Sequence, residues 1–248
     1  MAETESPVDA KYLAPDVLVA LRNLSVKFPV KGGIFLRTRA EIPAVDGVSL
    51  DIRNGETLGL VGESGSGKTT LGKAVMNVLK VSAPDVDIGG HIYLRNQDKT
   101  VDLLSLSRRG LLPYRKFIQM VFQDPYSSLN PRLVVNDIVR EPLDIHLPDV
   151  SEREKSEMTA DLLTRVGLSP EQGGRYPHEF SGGQRQRIGI ARSLATMPRL
   201  VIADEPVSAL DVSIQAQVIN LLHDLKEEYG LALLRSEERR VGKECRSR

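Results

Sequence analysis

Apolar and polar positions divide the chain into stretches of strand and helix period. Val17-Leu18-Val19-Ala20-Leu21 and Leu24-Ser25-Val26-Lys27-Phe28 read as strand, followed by a basic loop from Lys31-Gly32-Gly33 to Pro43. Ala44 to Ile52 forms a second strand, and Asn54-Gly55 supplies a hairpin-type turn into the apolar run Thr57-Leu58-Gly59-Leu60-Val61. Thr70 to Met76 has helical character, and a further strand pair is expected around His91–Leu94 and Ile118–Phe122. Composition then turns helical. Ser151-Glu152-Arg153-Glu154 is a capping box, and Met158, Leu162, Leu163 and Val166 follow at helical spacing until Gly167. A helix starts at Ser181 and carries Ile188, Ala191, Leu194 and Ala195. Arg199 to Asp204 is an apolar strand suited to the middle of a parallel sheet, Asp211 to Tyr229 is a long helix, and Leu231-Ala232-Leu233-Leu234 opens a last strand. No internal repeat or low-complexity segment interrupts this order.

The 248 residues suffice for one large domain or two small ones. Lysines and arginines balance aspartates and glutamates at 33 each, so the overall charge gives no sign of a nucleic-acid partner. Residues 1–15 are poor in apolar side chains and contain Pro7 and Pro15, which predicts a disordered N-terminus. The start is acidic and polar without the basic and apolar regions of a secretory signal, and no apolar run approaches the roughly 20 residues of a membrane span. A cytosolic chain is expected, reaching any membrane through a partner.

Chemistry enters with Gly62-Glu63-Ser64-Gly65-Ser66-Gly67-Lys68-Thr69, of the form G-x-x-x-x-G-K-[ST] between a strand and a helix. Glycines let successive backbone N–H groups turn toward phosphate oxygens, and the helix start adds the positive end of its dipole. Lys68 is placed to reach the β- and γ-phosphates, and the Thr69 hydroxyl to bind Mg²⁺. Asp204 and Glu205 close an apolar strand, at the carboxyl edge where open α/β sheets bind ligands. Asp204 there holds Mg²⁺ through water and Glu205 polarises an attacking water; alone, the pair would be a solvated turn. Phe180-Ser181-Gly182-Gly183-Gln184 joins a serine cap and two glycines to a helix start, a second anion-binding end in one chain.

These three motifs, in this order, resemble the ATP-binding-cassette (ABC) ATPases, with Phe180 where that family's signature most often has leucine. The resemblance covers about residues 17–234. It implies an α/β fold, the P-loop NTPase fold of an ABC-type nucleotide-binding domain, with a mixed β-sheet core, an antiparallel β subdomain and a helical subdomain. Its core would comprise about 16–122 and 197–234, and its helical subdomain about 123–196. By resemblance Gln123 is the Q-loop glutamine and a Mg²⁺ ligand, and Ser208-Ala209-Leu210-Asp211 is the D-loop. Phe28 is either the aromatic that stacks on adenine or a core strand residue. The ATP site then comprises Phe28, residues Gly62 to Thr70, Gln123, Asp204 and Glu205, with Ser181, Gly182, Gly183, Gln184 and Asp211 expected to serve a partner's nucleotide. Glu205 is the catalytic carboxylate, and Thr69, Gln123 and Asp204 are the metal set.

The wording Phe122-Gln123-Asp124-Pro125-Tyr126-Ser127-Ser128-Leu129-Asn130-Pro131-Arg132, with Tyr176-Pro177-His178-Glu179, is similar to ATPase subunits of bacterial oligopeptide and dipeptide importers. That implies a second ATPase subunit, permease subunits, indirectly a solute-binding protein, no nucleic acid, and a peripheral place on the cytoplasmic face of the cell membrane. Nickel or another small solute, or a soluble non-transport role, are the alternatives. The tail Arg235 to Arg248, with the single Cys245, has no periodicity and resembles a translated sequencing-adapter read-through; without it the chain is mildly acidic. Family spacing puts a switch histidine at position 238, where this chain has Glu238, while His223 falls mid-helix and reads as a surface residue. The extra C-terminal strands and segment of peptide-importer ATPases are also missing. Weak ATPase activity and poor stability are therefore expected, with the sheet cut in mid-strand at residue 234.

Overall fold

The computed structural model describes residues 13–32, 37–97 and 99–238. Two four-stranded sheets organise it. In the first, β1 (Val17–Gly32), β2 (Arg37–Arg53), β4 (Asp87–Asn96) and β5 (Lys99–Asp102) run antiparallel in the order β2-β1-β4-β5. In the second, β3 (Thr57–Gly62), β6 (Ile118–Val121), β7 (Leu200–Asp204) and β8 (Ala232–Glu238) run parallel in the order β3-β8-β7-β6. Eight α-helices among the described residues connect and cover them: α1 (Lys68–Val75), α2 (Leu79–Ser82), α3 (Arg108–Arg115), α4 (Pro125–Ser128), α5 (Val135–His146), α6 (Glu152–Arg165), α7 (Gly182–Leu194) and α8 (Val212–Tyr229).

The strand period of two explains why the parallel sheet separates two cores. Leu200, Ile202, Ala232 and Leu234 face α1 and the antiparallel sheet, packing with Leu71, Ala74, Leu18 and Leu24. Val201, Ala203 and Leu233 face the other way, against Val139 and Leu143 of α5, Leu163 of α6, Ile188 and Ala191 of α7 and Val218 of α8. A strand buried on both faces needs an unbroken apolar run, and all five residues of β7 are buried.

Several expectations change. The basic loop from Lys31 to Pro43 is largely strand: β1 and β2 continue their ladder through Lys27↔Pro43 to Gly32↔Arg37. Asn54-Gly55 is a turn, with Gly55 at φ 66°, but it switches sheets, because β2 and β3 do not pair. The strands at His91 and Ile118 likewise lie in different sheets, each paired elsewhere. Helices α3 and α5, which the sequence pattern does not predict, each carry an internal proline, Pro113 and Pro142. Leu13, inside the stretch read as disordered, packs on Val17 and Ala20, and its carbonyl accepts a 2.8 Å hydrogen bond from Arg95 Nη2. The last strand does not stop at Leu234: β8 continues between β3 and β7 to Glu238, with Ser236 buried. The rest of the tail, including Cys245, lies outside the described residues.

Candidate functional site

The site forms at the carboxyl edge of the parallel sheet. β3 ends in Gly62, and the loop that follows needs left-handed backbone at Gly65 and Gly67, with φ of 78° and 91°. Gly67 has a second constraint, since a Cβ there would lie 2.2 Å from the Ala44 carbonyl oxygen of β2. That close approach brings the antiparallel sheet against the phosphate loop. α1 then starts at Lys68, whose side chain is turned back and buried. Its Nζ donates to the carbonyl oxygens of Gly62, at 2.9 Å, and Glu63, at 2.8 Å.

β7 and β6 bring the acidic and amide groups to the same edge. Thr69 Oγ1 donates to Asp204 Oδ1 at 3.0 Å, joining the start of α1 to the end of β7. Glu205 follows with φ 42°, a left-handed conformation that costs a non-glycine residue roughly 1–3 kcal/mol. Its carboxylate lies between two partners: Lys68 Nζ is 3.5 Å from Oε1, and Gln123 Nε2 donates to Oε2 at 2.7 Å. Ser236 of β8 supports the turn, accepting from Glu205 N at 2.9 Å and donating to Asp204 Oδ1 at 2.8 Å. Lys68, Thr69, Gln123, Asp204 and Glu205, far apart in sequence, are thus in mutual contact.

The other expected residues divide. Glu63, Ser64, Gly65 and Ser66 are exposed on the loop, and Thr70 is half-buried on α1. Phe28 is half-buried, faces Ile42 across the β1–β2 ladder and packs against the core of the antiparallel sheet, which suits the core reading it was given as one alternative. Ser181 caps α7 reciprocally, accepting from Gln184 N at 3.3 Å while Gln184 Oε1 accepts from Ser181 N at 2.9 Å. Ser181, Gly183 and Gln184 line a separate open cavity of about 360 Å³ with Gly167, Arg187 and Gln217. A Cβ on Gly183 would come within 2.5 Å of Ile214 Cγ2, so glycine there lets α7 approach α8. Asp211 caps α8 through its backbone geometry, with an exposed side chain. The chain therefore does not bring this second anion-binding end to its own Lys68.

Sequence reasoning passed over three supports. Gln186, almost fully buried on α7, donates through Nε2 to the Phe122 carbonyl at 3.3 Å, just before Gln123. Arg192, one and a half turns on, donates through Nη1 to the Ser128 carbonyl at 2.6 Å; burial holds its guanidinium below the usual arginine range. Polar side chains on the core-facing side of a helix were the available signal. The third is Ser236, which sits in the stretch set aside as foreign. Glu238 closes β8 opposite Gly62 and lines a cavity with Glu205, Ser208 and Arg235. His223 is exposed on α8, as its spacing predicts.

Among known proteins, the ABC transporter family matches residues 45–208. The oligopeptide transport ATP-binding protein AppF of Bacillus subtilis is 50% identical over 88% of this chain and 64% of its own length. OppF of the same organism is 50% identical over 81% and 63%. The glutathione import ATP-binding protein GsiA of Escherichia coli is 48% identical over 94% of this chain but 36% of its own length. The chain thus spans under two thirds of these curated relatives. Among solved structures, the dimeric ATP-binding cassette MJ0796 in a post-hydrolysis state bound to ADP and Pi superposes with a TM-score of 0.70 at 30% identity, over 88% of this chain and 87% of that one. CbiO1 of Clostridium perfringens, part of the ABC transporter complex cbiONQ, gives 0.69 at 25% identity over 90% and 79%. A glycine-cradled lysine facing two strand-end carboxylates, and a family match over most of the described fold, make this chain a member of the ABC transporter family.

Proposed function

We propose that the chain is the ATP-binding, ATP-hydrolysing subunit of a bacterial importer for oligopeptides or dipeptides. The observation that carries this reading is the convergence of Lys68, Thr69, Gln123, Asp204 and Glu205 at one sheet edge. The likeness to AppF, OppF and GsiA supports the peptide class of solute. Lys68 and the loop N–H groups bind the phosphates. The oxygens of Thr69 and Asp204, joined at 3.0 Å, and that of Gln123, whose Nε2 reaches neighbouring Glu205, form a hard donor set that suits Mg²⁺. Such an ion, when bound, neutralises phosphate charge. Glu205 orients and polarises the water that attacks the γ-phosphorus in line, as the bond to the leaving ADP oxygen breaks.

Ser181, Gly182 and Gly183 serve the nucleotide of a second ATPase subunit; Ser181 and Gly183 line a cavity that Lys68 does not. Residues 123–196 form the helical subdomain and face permease subunits, which hold the chain at the cytoplasmic side of the membrane. No helix among the described residues is long and apolar enough to cross a membrane. Glu238 replaces an imidazole with a carboxylate beside Gly62, adding negative charge where phosphate must bind, so hydrolysis by this chain is feeble.

The test is an ATP titration with parallel turnover measurements. Lys68→Ala should weaken binding about tenfold or more, losing charge-assisted hydrogen bonds. Glu205→Gln should leave binding intact and cut hydrolysis about a hundredfold or more, and Glu238→His should raise turnover. Unchanged affinity in Lys68→Ala, or undiminished turnover in Glu205→Gln, overturns the assignment.

A further inference from the structure

A second cavity, of about 360 Å³, lies between α2, α3, the strand β4 and the segment that follows β5, away from the carboxyl edge of the parallel sheet. Its size falls within the range of small-molecule sites. α3 contributes Arg108, Leu111 and Arg115, at helical spacings i, i+3 and i+7, so they share one face. Lys80 of α2 adds a third cation, and no carboxylate lines the cavity among the described residues. Its apolar wall is made of Ile88, Leu104, Leu106 and Leu111, with Val81 two-thirds exposed at the margin.

Some cations of the chain are held in ion pairs and others are not. Arg22, Arg53, Arg140, Arg153 and Arg165 each pair with a carboxylate. Lys80, Arg108 and Arg115 form no ion pair within 4 Å among the described residues, although the whole chain carries as many acids as bases. The positive field reaches beyond the cavity: burial first, then Lys116 and Arg115, hold the imidazole of His146 below the usual histidine range.

From the three cations gathered on one cavity, the lack of a carboxylate among its described lining residues and the apolar wall, we infer that this cavity binds a small organic dianion, a phosphate monoester on an apolar body. A phosphate monoester carries close to two negative charges at neutral pH and accepts the forked hydrogen bonds of arginine, while the apolar wall takes the ester group. Asn77, two residues beyond the end of α1, lines the same cavity and donates to the Leu103 carbonyl at 2.9 Å. An occupant therefore sits at the far end of the helix that starts at Lys68, about 12 Å away by helical rise.

The experiment is a calorimetric titration of the full chain with phenyl phosphate, inorganic phosphate and benzoate. Phenyl phosphate should bind about tenfold more tightly than either of the others. Arg108→Gln with Arg115→Gln should weaken it about ten- to a hundredfold, and Lys68→Ala should leave it unchanged. Lys80→Gln, at an exposed position, gives a second reading should the double variant lose its fold, and should weaken binding several-fold. Equal affinity for inorganic phosphate, an adventitious ion only, sinks the proposal. Equal affinity for benzoate, indifference to Lys80→Gln in the folded chain, or binding that disappears with Lys68 does the same. Because that last outcome follows Lys68 alone, the ATP reading and this one fail separately.

Discussion

Lys68 has three donor hydrogens, and three oxygens of its own chain surround them, on Gly62, Glu63 and, at 3.5 Å, Glu205. A phosphate that takes one of these donors competes first with the longest contact. On the proposed function, its arrival is expected to release Glu205 from the lysine and leave the carboxylate to Gln123 and water. The glycines around it are not equivalent. Gly65 has left-handed backbone with open space around it, whereas at Gly67 a Cβ would meet a backbone carbonyl that cannot rotate away. Gly65→Ala is expected to cost about 1 kcal/mol and Gly67→Ala clearly more, with loss of ATP binding only in the second; paired thermal melts and titrations decide it. The phosphate loop was legible because its requirement is local, a set of residue types at fixed spacing. Ser236 was not, because its partners Asp204 and Glu205 lie more than thirty positions away.

α5 and α6 show how ionic contacts join two helices whose apolar faces already pack. Lys155, with its side chain 6% exposed, is 3.0 Å from Asp144, and Arg140 reaches the same carboxylate at 3.3 Å. Burial raises the Asp144 value, but the hydrogen bonds from Lys155 and Arg140 outweigh it and hold the carboxyl below its usual range. With a folded value below the unfolded one, this contribution is complete above about pH 4 and fades as pH falls through the folded value. Asp144→Asn should therefore lower the melting midpoint at neutral pH and converge with the parent chain at low pH. A constant gap across an acid series would show that the carboxylate charge is not the cause. α6 itself was visible in the sequence through its capping box, and α5 was missed because Pro142 interrupts its final turn. The β1–β2 ladder beyond Pro43 was missed for another reason: pairing partners and not alternation define it there.

Over the whole molecule, the Ser181 end of α7 lines a cavity that Lys68 does not line, and on the proposed function a complete ATP site takes two molecules. Glu205→Gln with ATP is expected to sediment as a dimer and the same protein without nucleotide as a monomer; a monomer under both conditions would break the two-subunit reading. The order of strands 3-8-7-6 could not be read from the motifs, because it depends on contacts between β3 and β8 at opposite ends of the sequence. The division of the core was readable, since the alternation along β7 already assigns each residue to one face or the other. One helix ties several of these parts together. α7 begins at the Ser181 cap, is seated on α8 where Gly183 meets Ile214, and grips the chain on both sides of Gln123 through Gln186 and Arg192. Fastened at both ends, α7 is expected to carry a displacement of its capped end toward the amide that restrains Glu205.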